Sequence, residues 1–219
     1  TPGSGACVME FVSYLAGERW SDRPKCVCLP IRRFTMALND CGPQSLRDAL
    51  LERAPRLIEE ECAQRLATCR AEFFSDAVMR RVLPLFLRRF GHHGEAEAFE
   101  TEPVGAEQAA DVVRLLKRVA DTGTGYGAVC VVLAALGAAQ LNDDAGDAVE
   151  FAGPPAATSL ARHLETDIFS FFPSAHADAL GAEPFWRLAL ELLDEALDLK
   201  APKQQARRKT GSGAASKPL

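Results

Sequence analysis

The sequence predicts an all-α protein, with one globular domain of seven to nine helices over residues 6–200 and a disordered C-terminal tail over residues 201–219. Apolar residues recur at the helical spacing of three and four along most of the chain. No convincing stretch alternates β-branched and polar residues in the way that strands do. With 219 residues, of which 47% are hydrophobic and 25% charged, the chain can bury a substantial core.

Glycine, proline and small polar residues divide the first half of the chain into helices. Gly17 ends a first apolar stripe, and Pro30 favours a new helix start after a short connector. Ser75 is expected to cap a later helix, which Pro84 should kink because proline lacks a backbone donor. The first stripe, which should face the core, comprises Val8, Phe11, Val12 and Leu15. The predicted helices of this half cover residues 8–16, 29–38, 45–54, 56–74 and 75–90.

Residues 92–104 lack a helical pattern and carry several glutamates, which predicts a solvated loop and a possible internal domain boundary. The second half of the chain begins at Gly105. Residues 128–141 contain almost no charge, so this helix should lie at the centre of the fold. The predicted helices of the second half cover residues 109–119, 128–141, 157–172 and 184–200.

Charge is unevenly distributed along the chain, whose formal net charge is -5. Residues 201–219 hold five basic and no acidic residues, which leaves 20 basic against 30 acidic residues in the remainder. An acidic body repels phosphate backbones, so nucleic acid should bind only nonspecifically, through the tail. The tail also lacks the apolar spacing that packing requires, and this predicts its disorder.

Cysteine usage and hydropathy predict a cytoplasmic protein. The seven cysteines are an odd number and are spread through apparent helices, which favours reduced thiols over a compact disulfide framework. No segment has the pattern of a signal peptide. The longest apolar run, residues 128–139, falls short of the roughly 20 residues that span a bilayer, so we expect no membrane association.

A candidate metal site consists of Cys7, Glu10, Cys26 and Cys28. Cys7 and Glu10 are three residues apart on one flank of the first helix, and the connector after Gly17 can bring the other two back towards them. Thiolates and carboxylates are suitable zinc ligands, so zinc is the alternative to a protein without a cofactor. The plainer interpretation, favoured by the tight Cys26-x-Cys28 spacing, is that these cysteines are small buried hydrophobic residues.

The same stretch carries a resemblance to known sequences. Its motifs are Cys7-x-x-Glu10, Ala16-Gly17-Glu18, Trp20-Ser21-Asp22, Pro24-x-Cys26-x-Cys28 and Asn39-Asp40. Over roughly the first quarter of the chain, they resemble the opening of a family of uncharacterised bacterial hypothetical proteins. Members of that family often have histidine where this chain has Arg23, so one good metal ligand is missing here. The resemblance implies no activity.

Other motifs point to no reaction. The glycine-rich residues 123–127 follow no predicted strand and match no phosphate-binding pattern. The acidic residues 142–150 do not fit a calcium-binding EF-hand loop. The His-Glu-x-x-His and Gly-x-Ser-x-Gly motifs are absent from the sequence.

Two functions from different classes therefore remain open. The first is a non-enzymatic helical scaffold or adaptor that binds a protein partner, with the arginine-rich residues 80–89 as one candidate surface for an acidic partner. The second is a metal- or thiol-dependent enzyme centred on the four-residue site, where Arg23 and Lys25 would lower the pKa of a thiol. The first is favoured because no catalytic set is recognisable.

Removal of residues 201–219 is expected to leave the melting temperature nearly unchanged. The tail has no apolar face to bury, whereas Trp186 and Leu192, shortly before it, lie in a helical apolar pattern. Thermal unfolding of the full and the shortened chain, followed by circular dichroism, measures the difference. A fall of several degrees in the shortened chain would show that the tail packs against the domain.

Overall fold

The computed structural model describes residues 6–59, 63–101, 105–121, 125–140, 151–165 and 181–200. Within these ranges the chain is all-α, as predicted, and its only β-type pairing is an isolated bridge between Gln140 and Phe151. The predicted disorder of residues 201–219 concerns a segment outside the described residues. The helices are α1 (Val8–Leu15), α2 (Leu29–Cys41), α3 (Gln44–Leu57), α4 (Gln64–Ala77), α5 (Leu83–Arg89), α6 (His93–Thr101), α7 (Ala106–Asp121), α8 (Tyr126–Ala138), α9 (Pro155–Glu165) and α10 (Glu183–Asp198).

Helix α8 forms the centre of the core, which confirms the prediction from its uncharged sequence. All its residues except Leu133 and Gly137 are buried. It packs most extensively against α2, and also against α4, α7, α9 and α10. A helix that is apolar on every side gains the most free energy when other helices surround it. None of the described helices is both long and apolar enough to cross a membrane.

Helices α4 and α5 are joined without a break by a π-helical turn, Val78–Val82, so the described ranges contain nine separate helical rods. At the end of this turn the Leu83 N–H donates to the Val78 carbonyl, five residues back. Pro84 lies two residues after this turn and cannot donate a backbone hydrogen bond, and the change of register accommodates it. Ser75 was predicted to cap a helix start, but it lies buried inside the rod.

The structure corrects the prediction of a loop over residues 92–104. Helix α6 occupies most of this segment and buries Ala96 and Phe99. The Phe99 carbonyl accepts a hydrogen bond of 2.8 Å from Arg80 Nη1, and Glu100 forms an ion pair with Arg88 on α5. These contacts stabilise α6, a glutamate-rich helix whose few apolar residues form no clear helical pattern in the sequence. The break predicted near residue 55 also shifts, because α3 continues through Pro55 to Leu57.

Arginines on α3 and on the π-helical turn bind carboxylates of α10. Arg53 Nη2 lies 2.8 Å from Asp194 Oδ2, and Arg81 Nη1 lies 2.8 Å from Glu195 Oε2. Burial raises the pKa of Asp194, but hydrogen bonds and charge from Arg53 and Arg56 outweigh it, so this pKa lies below its ordinary value. Partly exposed pairs of this kind contribute about 0–1 kcal/mol each. They orient α10, whose apolar face supplies the main stabilisation.

Two glycines of α8 give a matched test of the packing at the centre. A Cβ at Gly127 would lie 2.8 Å from Ala182 Cβ, whereas a Cβ at Gly137 would meet nothing within 4 Å. We expect Gly127→Ala to lower the free energy of unfolding by about 1–3 kcal/mol, because overpacking forces the backbones apart. Gly137→Ala should raise it by up to about 1 kcal/mol, since alanine is the better helix former. Urea unfolding of both variants measures this difference, and equal stabilisation by both would contradict the close contact.

Candidate functional site

Cys7 and Glu10 form a capping box at the start of α1. The Cys7 Sγ accepts a hydrogen bond of 3.4 Å from the Glu10 N–H, and Glu10 Oε2 accepts one of 2.8 Å from the Cys7 N–H. This reciprocal pairing satisfies two helix-terminal donors and is usually made by serine or threonine with glutamate. Asn39 Oδ1 accepts the next donor, the Val8 N–H, at 3.2 Å. The predicted proximity of Cys7 and Glu10 is thus found, but their contacts serve the helix start.

The chain turns back after α1, and the turn places Trp20 next to Glu10. Gly17 has a φ of +71°, in the left-handed region that favours glycine, and this turn ends the helix. The Trp20 Nε1–H then donates to Glu10 Oε1 at 2.9 Å. Both oxygens of Glu10 are therefore engaged, and the backbone hydrogen bond from Cys7 is the largest cause of its lowered pKa. Buried Ser13 supports the turn, because its Oγ accepts the Ser21 N–H at 3.2 Å.

Cys26 belongs to a separate set of contacts. The Glu18 carboxylate accepts hydrogen bonds from the N–H groups of Lys25 and Cys26, at 2.9 and 2.8 Å. Burial, together with the negative charge of Glu18, raises the pKa of the Cys26 thiol to about 11. The thiol is therefore protonated at neutral pH and is a poor nucleophile. The lowered thiol pKa expected from the neighbouring basic residues is not found.

Cys28 lies at the N-cap of α2, where it is buried and disulfide-bonded. The other five cysteines of the described residues are free. A disulfide sulfur is not a thiolate, and zinc binds the thiolate. The sequence favours reduced thiols, so the disulfide at Cys28 corrects that expectation. The spacing of the cysteines along the sequence does not reveal such a bond.

The structure therefore does not gather the four predicted ligands into one site. It brings Cys7 and Glu10 together, places Cys26 beside Glu18, and holds Cys28 in a disulfide. Across the described ranges, no three His, Cys, Asp or Glu side chains are grouped so that they could hold a metal ion. Burial also raises the pKa of the Cys7 thiol. None of these contacts resembles a catalytic arrangement.

Comparison with protein-family models, with curated proteins and with solved structures finds no match to this chain. The resemblance of the N-terminal motifs to uncharacterised bacterial proteins stays a prediction. A functional assignment thus depends on the surface that the structure displays.

Sequence reasoning missed three large apolar side chains that are exposed in the last turn of α1 and in the connector after it. In the described part of the chain, the exposed large hydrophobic side chains are those of Tyr14, Leu15 and Trp20. Their exposed fractions are 55%, 42% and 41%. We refer to these three residues as the α1 patch. Leu15 was predicted to face the core with Val8 and Phe11, but it lies in the last turn of a helix only eight residues long. An aromatic residue in the connector that follows a two-turn helix was the available signal.

The arginine-rich residues 80–89 were predicted to form a surface for an acidic partner. In the structure, Arg81 forms an ion pair with Glu195, and Arg88 forms one with Glu100. Arg80 donates to the Phe99 carbonyl. These arginines bind groups of the chain itself, and their charge is largely compensated within the fold. The candidate surface therefore shifts from this helix to the α1 patch.

Glu18→Gln is expected to lower the pKa of Cys26, because it removes a negative charge that opposes ionisation of the thiol. Each unit by which the pKa falls raises the thiolate fraction about tenfold. Alkylation of Cys26 by iodoacetamide at pH 8, resolved by peptide mass spectrometry, should therefore become severalfold faster. Glu107→Gln, an exposed carboxyl change on α7, is the control and should leave the rate unchanged. An unaltered rate in Glu18→Gln would show that burial alone protects the thiol.

Proposed function

We propose that this protein is a non-enzymatic helical adaptor that binds a partner protein through the α1 patch. The observation that carries the proposal is the exposure of Tyr14, Leu15 and Trp20 on one short helix and its following turn. Aromatic side chains are enriched at the centres of protein interfaces, where a few of them contribute most of the binding free energy. A cluster of large apolar side chains on the surface typically marks such a contact.

The contacts of Trp20 support a binding role. Its indole N–H is held by Glu10, whose other carboxylate oxygen is held by the Cys7 N–H. Because the side chain is fixed before binding, less conformational entropy is lost when a partner covers it. The capping box and the turn at Gly17 thus position an aromatic side chain for an interface.

The alternative of a metal- or thiol-dependent enzyme lacks comparable support. The pKa values of Cys7 and Cys26 are both raised, which reduces the thiolate available for attack or metal binding. The five free cysteines of the described residues favour a reducing compartment, and we propose the cytoplasm. The disulfide at Cys28 weighs against that location.

A photo-cross-linking amino acid placed at Tyr14 should capture the partner in cells that make the protein. The same amino acid at Glu107, which is exposed on α7, is the control and should capture little. In the Leu15→Ser/Trp20→Ser variant, cross-links from position 14 should be lost, because truncating a central interface residue typically weakens affinity by about 30-fold or more. The melting temperature of the variant is measured alongside, because Trp20→Ser also removes the indole hydrogen bond to Glu10. Equal capture at positions 14 and 107 would contradict the proposal.

A further inference from the structure

A groove of about 900 Å³ lies between α1 and α3. Val8, Phe11 and Leu51 supply its apolar lining. Phe11 and Leu15 are four residues apart on α1, so Leu15 of the α1 patch is the next apolar side chain along the helix face that carries Phe11. The volume is in the range of surface clefts that hold several side chains of a bound molecule.

The rim of this groove is acidic. Asp40, Asp48 and Glu52 are exposed there, and none of them forms an ion pair with a described residue. Asp48 accepts only the side-chain amide of Gln44, at 2.8 Å. Arg47 is the basic residue among those that line the groove, and its Nε donates to the Asn39 carbonyl. The rim therefore carries an excess of negative charge that no ion pair with a described residue compensates, in contrast to the arginine-paired carboxylates of α10.

A second depression, of about 500 Å³, extends the acidic surface around the start of α1. It shares Asn39 and Asp40 with the groove and adds Glu10, Asp22 and Trp20. Carboxylates beside an aromatic ring favour a cationic side chain, through charge and through the face of the indole. The two depressions share lining residues, and Trp20 of the α1 patch lines the second one.

We propose that the groove between α1 and α3 binds a basic amphipathic helix of the partner protein, a proposal that rests on the adaptor function above. The apolar floor requires an apolar face, and the uncompensated rim requires lysine or arginine beside it. A helix satisfies its own backbone hydrogen bonds, whereas a peptide that binds by strand addition needs a sheet edge, and the described ranges contain no strand. The chain's own basic tail fits less well, because Leu219 is its single large apolar residue.

The test uses a dye-labelled 18-residue peptide with leucines at helical spacing and lysines elsewhere, titrated with the full chain by fluorescence anisotropy. A matched peptide with glutamate in place of lysine is the peptide control. We expect the basic peptide to bind and the acidic one not to bind, with an affinity that falls as salt is raised. Asp48→Lys/Glu52→Lys should weaken binding at least about tenfold. Glu72→Lys/Glu107→Lys changes the net charge equally at exposed sites outside the groove lining, and should change affinity by less than about twofold.

Three results would overturn the proposal. Equal weakening by the two charge-reversed pairs would show attraction by net charge alone. Unchanged binding in Asp48→Lys/Glu52→Lys, confirmed with the milder Asp48→Asn/Glu52→Gln, would exclude the groove. Peptide binding at least about tenfold tighter by a chain that ends at Lys200 would identify the tail as the occupant. If partner cross-linking at position 14 persists in any of these cases, the adaptor function stands and only the groove assignment fails.

Discussion

The burial of α8 is the constraint on which the rest of the structure depends. Thirteen residues without a charged side chain must be covered on every side, and the surrounding helices are placed so that they do this. The C-terminal end of α8 also receives a donor from a neighbouring helix. Arg33 on α2 donates to the Gly137 carbonyl in the last turn of α8, at 3.5 Å, and to the Gln140 carbonyl just beyond it, at 3.1 Å. Close packing at Gly127 then fixes where α10 can begin.

A chain of contacts connects this core to the α1 region. Arg70 on α4 is buried, and its guanidinium donates to the Ala196 carbonyl near the end of α10 and to both oxygens of Glu59. Burying such a pair costs desolvation energy, which the full set of hydrogen bonds offsets. The Glu59 N–H in turn donates to the Cys26 carbonyl at 2.8 Å, and Cys26 is tied to Glu18. The connector between α1 and α2, which contains Trp20, is therefore linked to the core by hydrogen bonds.

The sequence predicts those helices whose position is determined by the burial of apolar residues. It fails for segments whose structure depends on contacts with distant parts of the chain. The central position of α8 follows from its composition alone, because no exposed helix keeps so many apolar residues. Helix α6 was predicted as a loop because its apolar face consists of little more than Ala96 and Phe99. Its ion pair between Glu100 and Arg88 joins two helices and leaves no local pattern. The exposure of Leu15 was likewise hidden, since helical spacing does not show where a short helix extends beyond its neighbours.

The candidate site illustrates why spacing alone is ambiguous. A cysteine followed three residues later by a glutamate places two potential ligands on one helix flank, and the same spacing defines a capping box. The hydrogen bonds distinguish these alternatives. Each of the Cys7 and Glu10 side chains accepts the other residue's backbone N–H, and the second carboxylate oxygen of Glu10 accepts the indole N–H of Trp20. The carboxylate therefore both caps the start of a helix and accepts a hydrogen bond from an indole. A polar cluster that resembles a metal site in sequence thus becomes, in three dimensions, the support for an exposed aromatic surface beside an acidic groove.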